Sequence, residues 1–306
     1  LAARDFSGRF SIMQSNGGRM PAQAMARNAI AALFSGPAAG VVGAMGMAGR
    51  SGYDDIITLD MGGTSTDVSL IVGGVAELTP QTEIDGLPVR TPMIDIVTVG
   101  AGGGSIVWLD DGDFLRVGPQ SAGASPGPAS YMRGGTLPTV TDAHLIRGTL
   151  RADSFLGGTM AVDLQAAEKS FQALSHKLSM SVEDLVDSAI RIAEGNIVRA
   201  IQQVSTERGR DPRDFVLVAF GGAGPLHAAR LAEDLDIQTV VVPANAGVLS
   251  AAGLLMSDYV HYRSRTERTQ LTDGAMDKIF SILKELRDEA EVYLRAVGVS
   301  EPLTYE

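Results

Sequence analysis

Hydrophobic positions fall in short runs over the first half of the chain and recur at helical spacing over the second. Ile56-Ile57-Thr58-Leu59 and Val68-Ser69-Leu70-Ile71-Val72 are apolar, β-branched runs on either side of Asp60-Met61-Gly62-Gly63-Thr64-Ser65-Thr66-Asp67. They predict two strands, 56–60 and 66–72, joined through a Gly turn. Gly73-Gly74 predicts a two-residue turn into a third strand, 75–84. Val107-Trp108-Leu109 and Phe114-Leu115-Arg116-Val117 flank Asp110-Asp111-Gly112-Asp113. That acidic stretch lacks the later Glu of a calcium loop and reads as a hairpin turn. Leu185, Val186, Ala189, Ile190, Ala193, Ile197, Ile201 and Val204 recur near a 3.6 period and predict one long helix, 182–204, ended by Gly209 and Pro212. Strand 215–220, helix 225–235, strand 238–242 and helix 247–256 follow, an alternation that requires parallel pairing through right-handed crossovers. A helix near 37–49 precedes the first strand, and 274–297 is an amphipathic helix with a charged outer face.

Composition narrows this picture. The 306 residues are 45% hydrophobic and 20% charged, a soluble globular balance with room for one large domain or two ordinary ones. Glycine, 36 residues, is in excess, which suits a backbone that must approach ligands or neighbouring helices closely. A net charge of −11 argues against non-specific nucleic-acid binding, which needs Lys and Arg against phosphates. It leaves nucleotide binding open, because backbone amides and a metal do the neutralising there. With no Cys, disulfides, thiolate zinc sites and a Cys nucleophile are excluded, and a reducing, cytoplasmic setting is the simplest expectation. The chain starts at Leu1 without a basic-then-apolar leader, so an internal fragment of a longer protein is expected. Ala29 to Gly49 is uncharged and imitates a membrane span. Ser35-Gly36-Pro37 interrupts it, however, and its Ala, Gly and Met residues gain little from lipid. The helix left is too short to span and is expected to be buried.

The octet 60–67 carries the most chemistry. Two adjacent glycines let the backbone approach a ligand and aim successive N–H groups at an anion. Thr64, Ser65 and Thr66 add hydroxyls, and Asp60 at the strand end can hold a hydrated divalent cation. An ordinary hairpin would explain the glycines but needs neither the acid nor the threonines. Asp67, which closes the octet, is counted among the ligand-binding residues. Phe220-Gly221-Gly222-Ala223-Gly224-Pro225 follows an apolar strand and opens a helix, an arrangement that favours anions. It is not a dinucleotide fingerprint: His227 stands where the third Gly belongs, and the next strand ends in Pro243 rather than an acid. A close helix–strand contact would also call for these glycines. Thr98 to Ser105, with four glycines, is either a ligand-hugging loop or a flexible turn. Asp142 and His144 could share a metal, or Thr141 or Asp142 could cap the helix that follows. His176 and His261 read as surface residues, and His227 faces either a phosphate or a structural partner. Glu194 and Asn196 lie on the long helix, either on its solvated face or toward a nucleotide.

The octet resembles the second phosphate-binding motif of the actin-like ATPase superfamily, in the wording of the hydantoinase A/oxoprolinase family. Leu33 to Ala44, Thr98 to Ile106, Pro138 to Asp142 and Phe220 to Ala228 resemble that family in the same order, and the likeness extends to Asp258. The resemblance implies an α/β, ribonuclease-H-like domain built from 29–84 and 181–260. It further implies a Gly/Pro-rich insertion at 85–180, a C-terminal helical segment at 261–306 and a remnant of an upstream region at 1–28. Gly36 to Ala44 and Pro243 to Gly253 resemble the two connecting helices of the domain hinge. ATP with Mg²⁺, or another divalent metal, is the implied cofactor. Asp60 would position the metal, Gly62, Gly63, Thr64 and Thr66 the terminal phosphates, and Gly221, Gly222 and Ala223 the adenosine. Such enzymes phosphorylate the carbonyl oxygen of a cyclic amide so that the ring can be hydrolysed, alongside a hydantoinase B-like second subunit. A ketone carboxylase subunit of the acetone or acetophenone type and a non-catalytic nucleotide-binding assembly module are the competing readings. A sugar kinase would need an upstream sugar-binding domain. The family carries an earlier phosphate motif on a preceding domain, and only one copy occurs here. The 306 residues alone are therefore expected to hydrolyse ATP feebly or not at all.

Overall fold

A computed structural model describes Gly8 and residues 10–84, 86–270, 272–300 and 302–305. Residues 1–7 and 9 of the expected upstream remnant lie outside the described residues; the rest of that segment forms a small hairpin, β1 (Ser11–Met13) with β2 (Arg19–Pro21), and a short helix, α1 (Ala22–Met25). There follow α2 (Ser35–Arg50), β3 (Ile56–Met61), β4 (Thr66–Val72), β5 (Val75–Ala76), β6 (Leu78–Thr79), β7 (Thr82–Ile84), β8 (Leu87–Val89), β9 (Met93–Ile94) and β10 (Val97–Val99). The middle of the chain holds β11 (Ser105–Leu109), β12 (Leu115–Ser121), α3 (Val140–Arg147), α4 (Leu164–Leu178) and α5 (Val182–Val204). It closes with β13 (Val216–Phe220), α6 (Gly224–Asp234), β14 (Val240–Val241), α7 (Leu249–Met256) and α8 (Ala275–Ala296).

The central sheet runs β10–β4–β3–β13–β14, with β5 hooked onto β4. β10, β4 and β3 pair antiparallel, while β3, β13 and β14 pair parallel, so the sheet is mixed as the element order predicts. Period-2 alternation divides β3 between two cores. Ile57, Leu59 and Met61 join the larger one under α5, whereas Ile56 joins a smaller one with Ile71, Val218 and Phe220 beneath α2 and α7. Thr58 and Ser69 face each other on that second side and bond hydroxyl to hydroxyl at 2.7 Å. Asp60 continues the same face toward the strand end.

The long helix α5 forms where its periodicity places it, with Ser181 accepting from the Asp184 amide as N-cap. Three elements differ from the sequence reading. The strand 75–84 breaks into β5, β6 and β7, because Pro80 has no N–H to give a ladder and the pieces find separate partners. The segment 85–180 is not set apart as an insertion. It supplies β10 to the central sheet, and Val107, Val117, Val140, Ala143 and Phe171 share the core of Ile57 and Leu59. Within it lies α4, which the sequence reading missed although Leu164, Ala167, Phe171, Leu174 and Leu178 recur at helical spacing. Among the described residues no helix is long and apolar enough to cross a membrane.

The uncharged stretch forms α2, whose small residues serve contact with α7. A side chain on Gly253 would overlap the Ala39 carbonyl oxygen, and one on Gly43 would lie 2.8 Å from the Leu249 carbonyl. The obstacle in both cases is backbone. Gly253→Ala is therefore expected to destabilise the protein by roughly 3 kcal/mol or more in urea unfolding. Gly195→Ala, inside α5 where a Cβ meets nothing, is expected to stabilise it by about 0.5–1 kcal/mol. Equal effects of the two changes would contradict this packing.

Candidate functional site

β3 and β13 are parallel neighbours that end at the same level, with Asp60 paired to Phe220. Their two Gly-rich turns, 62–65 and 221–224, consequently stand side by side at the carboxyl ends of the strands, where open α/β sheets bind ligands. Gly221 has φ +80°, and a side chain there would meet Asp60 Oδ1 at 2.6 Å. The Ala223 amide donates to the Met61 carbonyl at 2.9 Å, which clamps the second turn onto the first strand. Two helices close in from the other side. A Cβ on Gly40 of α2 would lie 3.0 Å from Asp60 Oδ2, and Ser250 of α7 donates to that oxygen at 3.4 Å. Sequence reasoning missed Ser250, whose only signal was a hydroxyl within a helix of small residues.

The β3–β4 turn is held from behind. Gly62 donates its amide to the Ser65 carbonyl at 3.0 Å, and its own carbonyl accepts from Gly103 at 2.9 Å. The Gly63 carbonyl accepts from the Gly104 amide at 2.7 Å and from Ser121 Oγ at 3.3 Å. A side chain on Gly102 would lie 2.6 Å from the Thr64 amide nitrogen. The 98–105 loop is thus a structured back wall rather than a free turn. Thr66 corrects the sequence reading: it is fully buried and gives its hydroxyl to the Ala101 carbonyl, so it ties the turn to that wall instead of facing a ligand. The Gly62 amide is likewise committed within the turn.

What remains faces outward. The amides of Gly63, Thr64 and Ser65 have no acceptor among the described residues, and Gly63 and Thr64 are exposed. Neither Gly62 nor Gly63 takes a left-handed φ, and a Cβ on either would touch nothing within 4 Å. Neither backbone strain nor packing accounts for these glycines; their effect is to keep the space over three free N–H groups clear. Successive free N–H groups with open space before them are the kind of donor set an anion takes.

Beside it stand two carboxylates. Asp67 pairs directly with Asp60 across the ladder, which puts both side chains on one face. Burial, then the neighbouring Asp67, pushes Asp60 up to about 6, against the opposing Ser250 bond. Burial also raises Asp67, against a 2.6 Å bond donated by Thr98. Neither has a Lys or Arg partner among the described residues. No three His, Cys, Asp or Glu side chains among the described residues converge there to hold a metal alone. A divalent ion at this pair would complete its shell with phosphate oxygens and water, the habit of Mg²⁺.

The other candidates go elsewhere. Thr139, not Thr141 or Asp142, caps α3; Asp142 is the third residue of the capping box. Its buried carboxylate accepts from the amides of Ala129, Ser130 and Thr139 and from the Thr139 hydroxyl, which leaves nothing for a metal. His144 turns to His227, whose other nitrogen meets Glu194. Asn196 donates to the Val117 carbonyl, and Gly222 is exposed at the second turn. His176 is exposed, while His261 stacks on Tyr293 at 3.9 Å.

With this geometry in hand, comparison with known proteins finds a family model described as Hydantoinase/oxoprolinase that matches residues 1–263. The chain is 40% identical over 288 residues to caprolactamase subunit alpha of Pseudomonas jessenii, covering 93% of this chain and 41% of that one. It is 34% identical over 302 residues to 5-oxoprolinase 1 of Arabidopsis thaliana, covering 92% and 24%. A nucleotide-free acetone carboxylase structure superposes with TM-score 0.81 at 30% identity, over 98% of this chain and 43% of that one. The ATP-dependent caprolactamase crystal structure from Pseudomonas jessenii gives 0.79 at 37%, over 94% and 42%. The chain spans less than half the length of each of these relatives.

The carboxylate pair has a measurable cost. Because the folded protein holds Asp60 at about 6 against 3.8 ordinarily, its ionisation opposes folding. That penalty is absent below pH 3.8 and complete once pH has risen through about 6. Asp60→Asn is therefore expected to match the wild type near pH 3.8 and to exceed it by on the order of 2 kcal/mol at pH 8, in denaturant melts without divalent ions. A wild type more stable than the variant at pH 8 would contradict the description of this pair.

Proposed function

The chain belongs to the hydantoinase/oxoprolinase family, and from that premise we propose that it is the nucleotide-binding part of an ATP-dependent enzyme that hydrolyses a cyclic amide. The observation that carries the proposal is the turn 62–65, with three unclaimed amides beside a strained carboxylate pair at the carboxyl end of parallel strands. In this reading the amides of Gly63, Thr64 and Ser65 receive the terminal phosphates of ATP, and the Thr64 hydroxyl adds a donor. Gly62 contributes by lacking a side chain, and Thr66 by fixing the turn. Asp60, with Asp67 behind it, anchors Mg²⁺ directly or through water. Gly221, Gly222 and Ala223 pass beside the adenosine. Bound ATP supplies a phosphoryl group to the amide carbonyl oxygen, which makes the ring carbon open to attack by water. The protein's contribution is charge neutralisation and alignment.

We further propose that the mixed sheet is a ribonuclease-H-like ATPase core formed by 29–84 and 181–260, with β10 added at its edge. A hydantoinase B-like subunit is the proposed partner; the caprolactamase relative is itself named as an alpha subunit. The likeness to acetone carboxylase keeps a second reading in play, in which the same ATP chemistry activates a ketone for carboxylation.

Calorimetry of the intact protein should show Mg·ATP binding that Asp60→Ala abolishes and EDTA removes. In the intact complex, ATP turnover should depend on a lactam, hydantoin or 5-oxoproline-type ring and fall about 10²-fold or more in that variant. Turnover that responds to ketone plus bicarbonate and to no cyclic amide would establish the second reading. Absence of nucleotide binding would sink both.

A further inference from the structure

His144 of α3 and His227 of α6 meet in the core, Nε2 to Nε2 at 3.1 Å, their rings edge-on with centroids 4.6 Å apart. His227 Nδ1 lies 3.2 Å from Glu194 Oε1 of α5, and Glu194 Oε2 lies 3.5 Å from Arg230. At the other end His144 Nδ1 lies 2.7 Å from the Thr149 hydroxyl. His144, His227 and Glu194 are all buried, at 2%, 0% and 3% exposure. Nothing in the nucleotide reading uses them.

The hydrogen bonds allow few proton arrangements. A carboxylate only accepts, so His227 Nδ1 carries a hydrogen toward Glu194. The bond between the two Nε2 atoms then holds a single proton. In one arrangement His144 Nε2 donates to His227 and the Thr149 hydroxyl turns to His144 Nδ1, giving up its 3.1 Å bond to the His144 carbonyl. In the other, His227 Nε2 donates to His144, whose Nδ1 donates to the Thr149 oxygen and leaves that hydroxyl its bond to the His144 carbonyl. Protons on both Nε2 atoms would drive the rings apart. Burial, with His227, Arg147 and Arg230 nearby, pushes His144 down to about 3 and keeps it neutral.

The location gives the pair its meaning. His227 sits in the first turn of α6, directly after the 221–224 turn that abuts Asp60 and clamps Met61. The first turn of α3 holds the loop that backs the β3–β4 turn: the Thr141 amide and hydroxyl both donate to the Gly103 carbonyl, at 2.7 and 2.8 Å. The Gly103 amide in turn donates to Gly62. We propose that the His144–His227 bond is a positioning brace that fixes the adenosine-side turn on α6 relative to the glycine loop that backs the phosphate turn and is held by α3, and so sets affinity for a magnesium nucleoside triphosphate. The proposal rests on the nucleotide reading of that cleft.

The test uses intact protein with ¹⁵N-labelled histidine, whose imidazole signals are assigned by substitution. Saturating Mg·ATP is expected to shift the His144 and His227 ring-nitrogen signals and to leave those of His176 and His261 in place. By calorimetry, His144→Leu is expected to weaken Mg·ATP binding about tenfold. His144→Gln, which can still donate at the same point, should stay within about threefold of wild type. Ring signals of His144 and His227 unmoved by saturating nucleotide would overturn the brace, as would a folded His144→Leu protein that binds like wild type. Should His144→Leu fail to fold, the wild-type spectra decide alone. Wild-type protein that binds no Mg·ATP removes the nucleotide reading itself, and the brace with it; the wild-type titration tells that failure from the other two.

Discussion

Asp60 and Asp67 stand opposite each other because the β3–β4 register puts them there, and the rest of the site is arranged around the burial of these two acids. Two half-buried carboxylates on one sheet face, without a basic partner among the described residues, are each pushed toward the protonated form. The surroundings close in where larger side chains would be refused: Gly40 from α2, Gly221 from the second turn, and Ser250 from α7. A fold under pressure only for stability would replace one acid by a neutral residue. This chain carries both, a cost in stability that a cation bound as proposed would offset.

Much of this was legible along the chain. The strands 56–60 and 66–72, the long helix 182–204 and the hairpin at 107–117 follow from local periodicity, and each appears within a few residues of its expected place. The β-α-β order gave the parallel pairing of 215–220 with 238–242, whereas the adjacency of the two Gly-rich turns comes from the pairing of β13 with β3 in the folded sheet. What sequence could not resolve was how each atom of the octet is spent. Four residues suited to phosphate looked alike, yet the Gly62 amide and the Thr66 hydroxyl turn inward to build the turn. For Thr66 that division depends on the Ala101 carbonyl of the 98–105 loop, 35 residues away. The His144–His227 contact was hidden for the same reason: each residue was judged against its neighbours in sequence, whereas its partner is 83 positions distant. Composition also hid how the 85–180 segment joins the sheet. A Gly- and Pro-rich composition marks turns, but Val97–Val99 still offered a free strand edge to β4 and took it.

α2 and α7 add a second layer. Their glycines bring the helix backbones into direct contact, and both helices also reach Asp60 Oδ2, one by the missing side chain of Gly40 and the other by Ser250. Packing between two helices and the environment of one carboxylate are therefore the same set of atoms. Resemblance to the hydantoinase/oxoprolinase family supplied the names of these helices; the overlap of their contacts supplies the physical reason that both carry small residues.

The central claim is that three amides of one turn and the acid beside it hold the terminal phosphates and metal of ATP. Crystals of the intact protein grown with Mn²⁺ and a non-hydrolysable ATP analogue test it most directly. The account predicts one anomalous manganese peak bound to Asp60 directly or through a water, with the terminal phosphate accepting from Gly63, Thr64 and Ser65. A nucleotide bound elsewhere, with that turn untouched and no manganese near Asp60, would contradict it.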